Sequence, residues 1–320
     1  MKFAARINSF KQSPILKKDN QAKELSIVEC LSLISSIKEV EYVELNYPEH
    51  FEQISIQEMK DLLNKFNLKL SGIALRYKTP FFNGEFNNPD VEIQDKAIQL
   101  TMDAINVCNE LGGEVTTIWL ANDGFDYSFQ VDYNQSLDNE ISALKKIVDK
   151  FPNNKISFEY KPYQPRAYSL VGDISTTLLV LDEVGSSNMG VTLDFCHLLM
   201  KKESPAYSLA LAVRKNRLMG FHLNDGYKDN DDGLMLGSVH LMQTLEFIYY
   251  AKKYQYEGIT YFDTFPIREN PIKECIQNIK MYKLLDQYID DIGLDKINRL
   301  IQEHDAIKSQ QLLIDILSKK

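Results

Sequence analysis

Short stretches of β-branched, aromatic and other apolar residues recur along the chain. Each is followed by a longer stretch in which apolar residues return every three or four positions. The first pattern is typical of buried strands and the second of amphipathic helices. It predicts eight strands, at residues 3–10, 41–45, 70–77, 115–120, 155–160, 189–194, 218–223 and 259–263. It predicts helices at residues 25–37, 56–66, 90–111, 139–150, 174–184, 208–213 and 239–253, and an eighth helix from Pro271.

Eight strand–helix units in succession indicate a parallel sheet closed on itself, which is the α/β class with (β/α)8 (TIM) barrel architecture. A helical period continues beyond the eighth unit. We therefore predict a barrel domain over residues 1–283 and a C-terminal helical extension over residues 284–320. We expect the extension to pack on the barrel or on a neighbouring subunit.

The composition narrows the classes of partner. The 320 residues carry 36 Lys and Arg against 45 Asp and Glu, a net charge of -9, which argues against a duplex nucleic-acid partner. No apolar run approaches the ~20 residues that span a bilayer. The N-terminus lacks the apolar core of a signal peptide, and the four cysteines are widely spaced without a CxxC pair. These features predict a cytoplasmic enzyme with reduced thiols that does not act on membranes.

Polar side chains stand where four consecutive predicted strands end. In a barrel of this kind the active site lies at the carboxyl ends of the strands. A single aspartate or histidine at such a position is more often a helix cap or a hydrogen-bonded core group. Three carboxylates around one imidazole, however, repel each other and are costly to bury unless a cation neutralises them. An oxygen-rich set with one nitrogen suits Mn²⁺, Mg²⁺ or Co²⁺. The four residues predicted to form a metal site are Glu159, Asp194, His222 and Asp263.

A second acidic group lies in the loop after the seventh predicted strand. Its four aspartates are Asp225, Asp229, Asp231 and Asp232. Taken alone, this loop is a solvated acidic turn. It does not match an EF-hand, because the bidentate glutamate and the flanking helix pair are missing. His197 follows Asp194 by three residues, and some of the aspartates together with His197 are candidates for a second metal.

Two further residues are candidates for contact with a substrate. Trp119, the single tryptophan, ends the fourth predicted strand, where an indole either walls a sugar pocket or belongs to the core. Lys161 lies two residues past Glu159 and points to the same side of an extended backbone. It either donates to a substrate oxygen or pairs with an acid. No glycine-rich phosphate loop is present, and the remaining histidines, His50, His240 and His304, are expected to be structural or exposed.

These residues together resemble the xylose isomerase-like TIM barrels and, within them, the L-rhamnose isomerase branch. The resemblance covers about residues 70–270. It rests on Glu159-Tyr160-Lys161-Pro162, on Asp194-Phe195-Cys196-His197, on the segments around Trp119 and His222, and on Asp263. The combination is specific, although each fragment alone is weak. One departure is that Arg76 and Tyr77 occupy the region where xylose isomerases place a ring-opening histidine.

The resemblance implies two divalent metals per subunit, with Mn²⁺ as the expected ion and Mg²⁺, Co²⁺ or Zn²⁺ as alternatives. It implies that one metal is held by Glu159, Asp194, His222 and Asp263. It implies that the second is held by His197 with Asp229 and Asp231, although the Asp-rich run permits another register. Lys161 and Trp119 would contact the substrate, and Lys161, His197 and Asp263 would act in catalysis. The implied partner is a small sugar, and the implied assembly is a homo-oligomer, either a dimer or a tetramer.

The predicted function is metal-dependent aldose–ketose isomerisation at C1 and C2, as in L-rhamnose isomerase. A ketose 3-epimerase on the same barrel is the main alternative, in which glutamates at the fifth and eighth strand ends exchange protons at C3. Asp263 in place of a glutamate and the second ligand set favour the isomerase. A three-zinc abasic-site endonuclease fits poorly with five histidines and an acidic chain. The non-enzymatic alternative is a metal-binding barrel subunit without turnover.

Overall fold

A computed structural model describes residues 1–11 and 24–318 of the chain. Eight parallel strands close into a barrel, in the order β1-β10-β9-β8-β6-β4-β3-β2, which confirms the predicted (β/α)8 architecture. The barrel strands are β1 (Lys2–Arg6), β2 (Val40–Tyr47), β3 (Lys69–Leu75), β4 (Val115–Ile118), β6 (Ile156–Glu159), β8 (Met189–Asp194), β9 (Leu218–Leu223) and β10 (Ile259–Phe262). Two short strands, β5 (Gly124–Phe125) and β7 (Tyr168–Ser169), form a separate antiparallel pair.

Helices follow the strands and cover the outside of the barrel. They are α1 (Ile7–Lys11), α2 (Ile27–Ser35), α3 (Ile56–Lys65), α4 (Val91–Glu110), α5 (Tyr133–Lys150), α6 (Ile174–Val184), α7 (Phe195–Met200), α8 (Pro205–Arg214), α9 (Leu241–Lys253), α10 (Pro271–Ile292), α11 (Leu294–Glu303) and α12 (Ala306–Ser318). Their starts are encoded locally: Ser26 and Ser55 each form a capping box with a glutamate three residues on. Asn270 caps α10 ahead of a proline at its first position.

The prediction of a first strand over residues 3–10 was wrong in its second half. The strand ends at Arg6, and the short helix α1 follows it. A half-buried strand alternates buried and exposed positions, whereas four consecutive residues from Ile7 to Phe10 are buried here. The polar ones are paired: the Ser9 hydroxyl donates to the carbonyl of Thr264 at 2.5 Å. Helix α5 also begins earlier than predicted, since Asp132 caps it.

The C-terminal region is helical, as its pattern predicts. Helix α10 runs without interruption to Ile292, so the predicted boundary between residues 283 and 284 falls inside a helix. The chain turns at Gly293, whose φ is +87°, a value that favours glycine. Ile289 of α10 and Ile297 of α11 are buried. Within residues 1–11 and 24–318, no helix has the length and apolar character needed to cross a membrane.

The interior of the barrel contains polar side chains beneath the carboxyl ends of its strands. The Ser157 and Thr192 hydroxyls are 2.6 Å apart, and both are buried. A cavity of about 190 Å³ opens among the inner residues, including Glu44, Thr117 and His222. The carboxyl ends of the strands therefore stand over a polar interior rather than over a purely apolar core.

Candidate metal and sugar site

Four side chains meet at the carboxyl ends of neighbouring strands. Asp194 ends β8 directly beside His222 of β9 in the ladder, Glu159 ends β6, and Asp263 follows β10. All four are buried, and one candidate ligand atom from each lies within 4.8 Å of all the others. The register of the parallel sheet places them at one height, which is why consecutive strand ends bring them together.

Hydrogen bonds orient these groups. The Nδ1 atom of His222 lies 3.2 Å from Oε1 of Glu159, and its Nε2 atom lies 3.6 Å from Oε2 of the buried Glu44. The Asn224 amide donates to both carboxylate oxygens of Asp194, at 3.2 and 3.0 Å. The Nε atom of Arg6, at the end of β1, lies 2.7 Å from Oδ1 of Asp263.

The charges of the cluster shift its acids in different directions. Burial acts to raise the pKa of Glu159, but the charge and hydrogen bond of His222 outweigh burial and lower it to about 2. Burial raises the pKa of Asp194 to about 7; the charge of His197 opposes this shift, and repulsion from Asp231, Glu159 and Asp263 adds to it. Burial also raises the pKa of Asp263, against the opposing effect of Arg6. The raised pKa values of Asp194 and Asp263 show that the cationic side chains of the site do not fully compensate the burial of its carboxylates.

This donor set fits a divalent cation. Three carboxylates and one imidazole are the oxygen-rich ligands that Mn²⁺ and related ions take. Oδ1 of Asp263 is buried and has no hydrogen-bond partner among the described residues, although Arg6 lies beside it. A buried carboxylate oxygen that is ion-paired with Arg6 but accepts no hydrogen bond keeps lone pairs that a bound cation satisfies.

A second group adjoins the first and shares Asp194. One ligand atom each from Asp194, His197 and Asp231 lies within 4.8 Å of the others. His197 sits in the first turn of α7, with Nδ1 at 3.0 Å from the carbonyl of Tyr160 and Nε2 at 3.3 Å from Asp231. Since Nδ1–H donates to the carbonyl, Nε2 is the nitrogen free to bind an ion. Oδ1 of Asp231 is buried and unpartnered among the described residues.

In the second group the histidine and the aspartate shift each other's pKa in opposite directions. Burial acts to lower the pKa of His197, but Asp194 and Asp231 outweigh it and raise it to about 9. His197 and Lys161 in turn hold the pKa of Asp231 well below its usual range despite its burial. Asp229, the other expected ligand, is exposed and lies outside this group. The structure therefore assembles the second set around Asp231 and Asp194 rather than around the Asp229–Asp231 pair.

The two candidate substrate contacts lie next to each other. Trp119 is half-buried and directly follows β4, and the Lys161 ammonium lies 5.4 Å from the centroid of its ring. Lys161 is buried and its Nζ is 3.0 Å from Oδ2 of Asp231. Lys161 was predicted either to donate to a substrate oxygen or to pair with an acid. The structure shows the ion pair, and its acid, Asp231, belongs to the candidate site. Arg76, which follows β3, approaches the same indole ring, with Cζ at 5.4 Å.

Several residues of the site were missed by reasoning from the sequence. Arg6, Glu44 and Arg76 lie on β1, on β2 and directly after β3, the part of the barrel where the sequence showed no cluster of ligands. The available signal was a charged residue within or just past a predominantly apolar strand. His50 follows the structural one of its two predicted alternatives, because it is buried and its Nε2 lies 2.9 Å from Oδ1 of Asn8.

The loops after β3, β4 and β6 are joined beside the site. Asp123 accepts hydrogen bonds from the backbone N–H groups of residues 85, 86 and 87 at 2.7 to 3.2 Å. Strands β5 and β7 pair next to it, with the rings of Phe125 and Tyr168 stacked at 5.2 Å. The ion pair of Arg166 with Asp126, at 2.9 Å, closes the same contact. These loops thus form one connected part of the rim, which we call the joined rim (residues 81–90, 119–132 and 160–173).

A closed parallel barrel whose strand ends carry clustered acids and imidazoles belongs to the class of (β/α)8 barrel proteins with a site at the strand carboxyl ends. The sequence profile of the xylose isomerase-like TIM barrel family matches residues 35–284. The chain belongs to that family, as its residues predicted. The narrower resemblance to the L-rhamnose isomerase branch stays a prediction.

Relatives of known activity agree with this family. The chain is 23% identical over 231 residues to xylose isomerase of Thermus thermophilus and 24% identical over 168 residues to that of Hordeum vulgare. These matches cover 69% and 50% of this chain, but only 59% and 35% of the two relatives. The chain thus spans well under two thirds of the length of these curated relatives.

Solved structures share the fold. D-allulose 3-epimerase from Methylomonas sp. superimposes with a TM-score of 0.70 at 18% identity, covering 89% of this chain and 98% of that one. A D-tagatose 3-epimerase-like protein gives 0.68 at 17% identity, covering 92% and 100%. At these identities the likeness shows the barrel alone.

Proposed function

We propose that the protein is a divalent-metal-dependent sugar isomerase that interconverts an aldose and a ketose at C1 and C2. The observation that carries the proposal is the pair of adjoining ligand groups, one of four residues and one of three, which share Asp194. A single four-residue group would serve an epimerase as well. The second group, with Lys161 attached through Asp231, is the feature that favours isomerisation.

The first ion would be held by Glu159, Asp194, His222 and Asp263, and a second by Asp194, His197 and Asp231, with Mn²⁺ as the proposed ion in both. Bound ions of this kind act as Lewis acids that polarise sugar oxygens and stabilise negative charge. Five of the six ligand residues are buried and Asp231 is partly buried, which limits the access of bulk water and strengthens these interactions.

Three side chains of the protein would bind and orient the sugar. The Lys161 ammonium would donate a hydrogen bond to the oxygen at C1; it is buried, and its Nζ lies 3.0 Å from Oδ2 of Asp231. Oδ1 of Asp231 has no hydrogen-bond partner among the described residues and would accept a hydrogen bond from a sugar hydroxyl. The indole of Trp119 stands beside Lys161 and presents an apolar face on which a sugar can stack and from which water is excluded.

A ketose 3-epimerase is the second candidate, and the shared fold of the ketose 3-epimerase structures favours it. In that reaction the strand-ten acid, here Asp263, would have to reach C3 as a base. Asp263 is one methylene shorter than a glutamate, and its Oδ1 is already beside Arg6 at 2.7 Å. A subunit that binds metal without turnover is the third candidate.

The test is incubation of the Mn²⁺-loaded protein with a panel of aldoses and ketoses, with products identified by NMR. We expect aldose–ketose conversion that depends on added metal and is absent in a Glu159→Gln control. Inversion at C3 alone would replace the isomerase by the epimerase. No turnover of any sugar by metal-loaded protein would leave the non-catalytic subunit. We further propose that the protein is cytoplasmic and forms a homo-oligomer in which residues 284–320 contribute a subunit contact. Light scattering would measure the molar mass of this assembly.

A further inference from the structure

One cation at the mouth of the barrel forms no ion pair with the residues that the structure describes. Arg76 directly follows β3 and is half-buried. Among those residues, the one hydrogen bond of its side chain is from Nη1 to the carbonyl of Leu75, at 3.0 Å. In residues 1–11 and 24–318 it forms no ion pair, whereas Arg6 and Lys161 each lie within 3.0 Å of a carboxylate. Most of the donors of this guanidinium are therefore available to something outside the chain.

The position of Arg76 connects it to the candidate substrate site. Its Cζ and the Nζ of Lys161 each lie 5.4 Å from the centroid of the Trp119 ring, so the two are at most about 11 Å apart. Arg76 and Lys161 thus converge on the one aromatic side chain that we expect to wall the sugar. A molecule held by Lys161 at its reacting end extends past Trp119 within reach of Arg76.

The charges of the site leave room for an anion. Five carboxylates, those of Glu44, Glu159, Asp194, Asp231 and Asp263, surround the mouth together with three cationic side chains, Arg6, Arg76 and Lys161. One divalent ion balances this set, and a second leaves excess positive charge. A partly desolvated guanidinium without a counter-ion is costly, and a carboxylate or phosphate group matches its planar pair of donors.

We propose that the sugar substrate carries an anionic group, a carboxylate or a phosphate, at the end remote from C1, and that Arg76 binds it. The inference rests on the proposed function, because it takes Lys161 as the contact at the reacting end. It assigns the substrate class as sugar acids or sugar phosphates rather than neutral sugars.

Binding can be measured without turnover, because Trp119 is the only tryptophan of the chain and lies against Arg76. Mg²⁺-loaded protein is titrated with D-sorbitol, D-gluconate and sorbitol 6-phosphate while the tryptophan fluorescence is followed. We expect at least one of the two anions to bind about 10- to 100-fold more tightly than sorbitol, the range for charge-assisted hydrogen bonds. Which anion binds more tightly distinguishes a carboxylate from a phosphate substrate.

Variants assign the preference to Arg76. Arg76→Gln should reduce the binding of the anion to that of sorbitol, and Arg76→Lys, which keeps the charge but loses the planar donors, should retain part of the preference. Lys78→Gln removes an exposed cation two residues away that pairs with Glu52, and should change nothing. Equal binding of sorbitol and both anions by the wild-type protein, or a preference that survives in Arg76→Gln, would overturn the inference. Arg76-dependent binding of an anion by a protein that isomerises no sugar would instead overturn the proposed function and leave the anion site standing.

Discussion

Replacing Glu140 by glutamine should stabilise the protein, and increasingly so as the pH rises. Glu140 lies on α5 with 1% of its surface exposed, and its Oε2 has no hydrogen-bond partner among the described residues. Burial, followed by repulsion from the neighbouring acids Asp123 and Glu85, raises the pKa of Glu140 well above its ordinary value. Burial and Asp123 likewise raise the pKa of Glu85 to about 9. The folded protein therefore keeps the proton of Glu140 to a higher pH than the unfolded chain does.

The sign and size of the effect follow from this proton. The unfolded chain releases it near pH 4.5, so above that pH the folded state holds one more proton than the unfolded state. Stability from this group is complete below pH 4.5 and falls by about 1.4 kcal/mol per pH unit as the pH rises towards the folded pKa. The glutamine variant has no such proton. Between pH 5 and pH 8 its advantage over the wild type should therefore grow with pH for as long as the pH stays below the folded pKa of Glu140.

The assay is urea unfolding of chelator-treated wild type and Glu140→Gln at pH 5, 6, 7 and 8, followed by circular dichroism. Glu110→Gln, at the exposed end of α4, is the matched control and should run parallel to the wild type at every pH. If the difference in unfolding free energy between wild type and Glu140→Gln is the same at pH 5 and pH 8, Glu140 is ionised in the folded protein and the reasoning is refuted.

Three further predictions concern the ligand groups. Glu159→Gln should weaken Mn²⁺ binding by about 100-fold or more in calorimetry, because it removes a charge that the first ion needs; unchanged affinity would exclude Glu159 as a ligand. His197→Ala should leave the first ion bound and reduce kcat by about 100-fold or more, because it removes a ligand of the second ion; an unchanged kcat would refute the two-metal scheme. Glu44→Gln should weaken metal binding by about 10-fold, because Glu44 faces Nε2 of His222 at 3.6 Å and directs Nδ1 to the ion. Glu114→Gln, in the same cavity, is its control, and equal affinities for the two variants would exclude this role.

The barrel was predictable because its strands and helices are encoded in local periodicity, and strand ends inherit their positions from the register of the sheet. That is why Glu159, Asp194, His222 and Asp263, taken from four separate segments, could be expected to meet. Loop positions have no such rule. In the acidic loop, a bridge between Asp225 and Leu234 and a bond from the Tyr227 N–H to Asp232 set the path of the chain. These contacts within the loop, which periodicity does not report, accompany the arrangement in which Asp231 rather than Asp229 lies beside His197.

Arg6 and Arg76 were missed for a related reason. A lone basic residue at a strand end carries no pattern, and its importance depends on which acid or ring it contacts across the barrel. The contact of Arg6 with Asp263 joins the first strand to the last, which are far apart in sequence. Likewise, α1 replaces half of the first predicted strand because its polar residues find partners in distant segments.

The joined rim occupies one side of the barrel, because its loops follow the three neighbouring strands β3, β4 and β6. The hydrogen bonds of Asp123, the β5–β7 pair and the Arg166–Asp126 ion pair connect the loops after β3, β4 and β6. A change in one of these loops should therefore shift the other two. Insertions or exchanges there would disturb Trp119 and Lys161 as well. New substrate preferences should therefore arise more easily through the loop that follows β10, because this strand stands opposite β4 in the barrel.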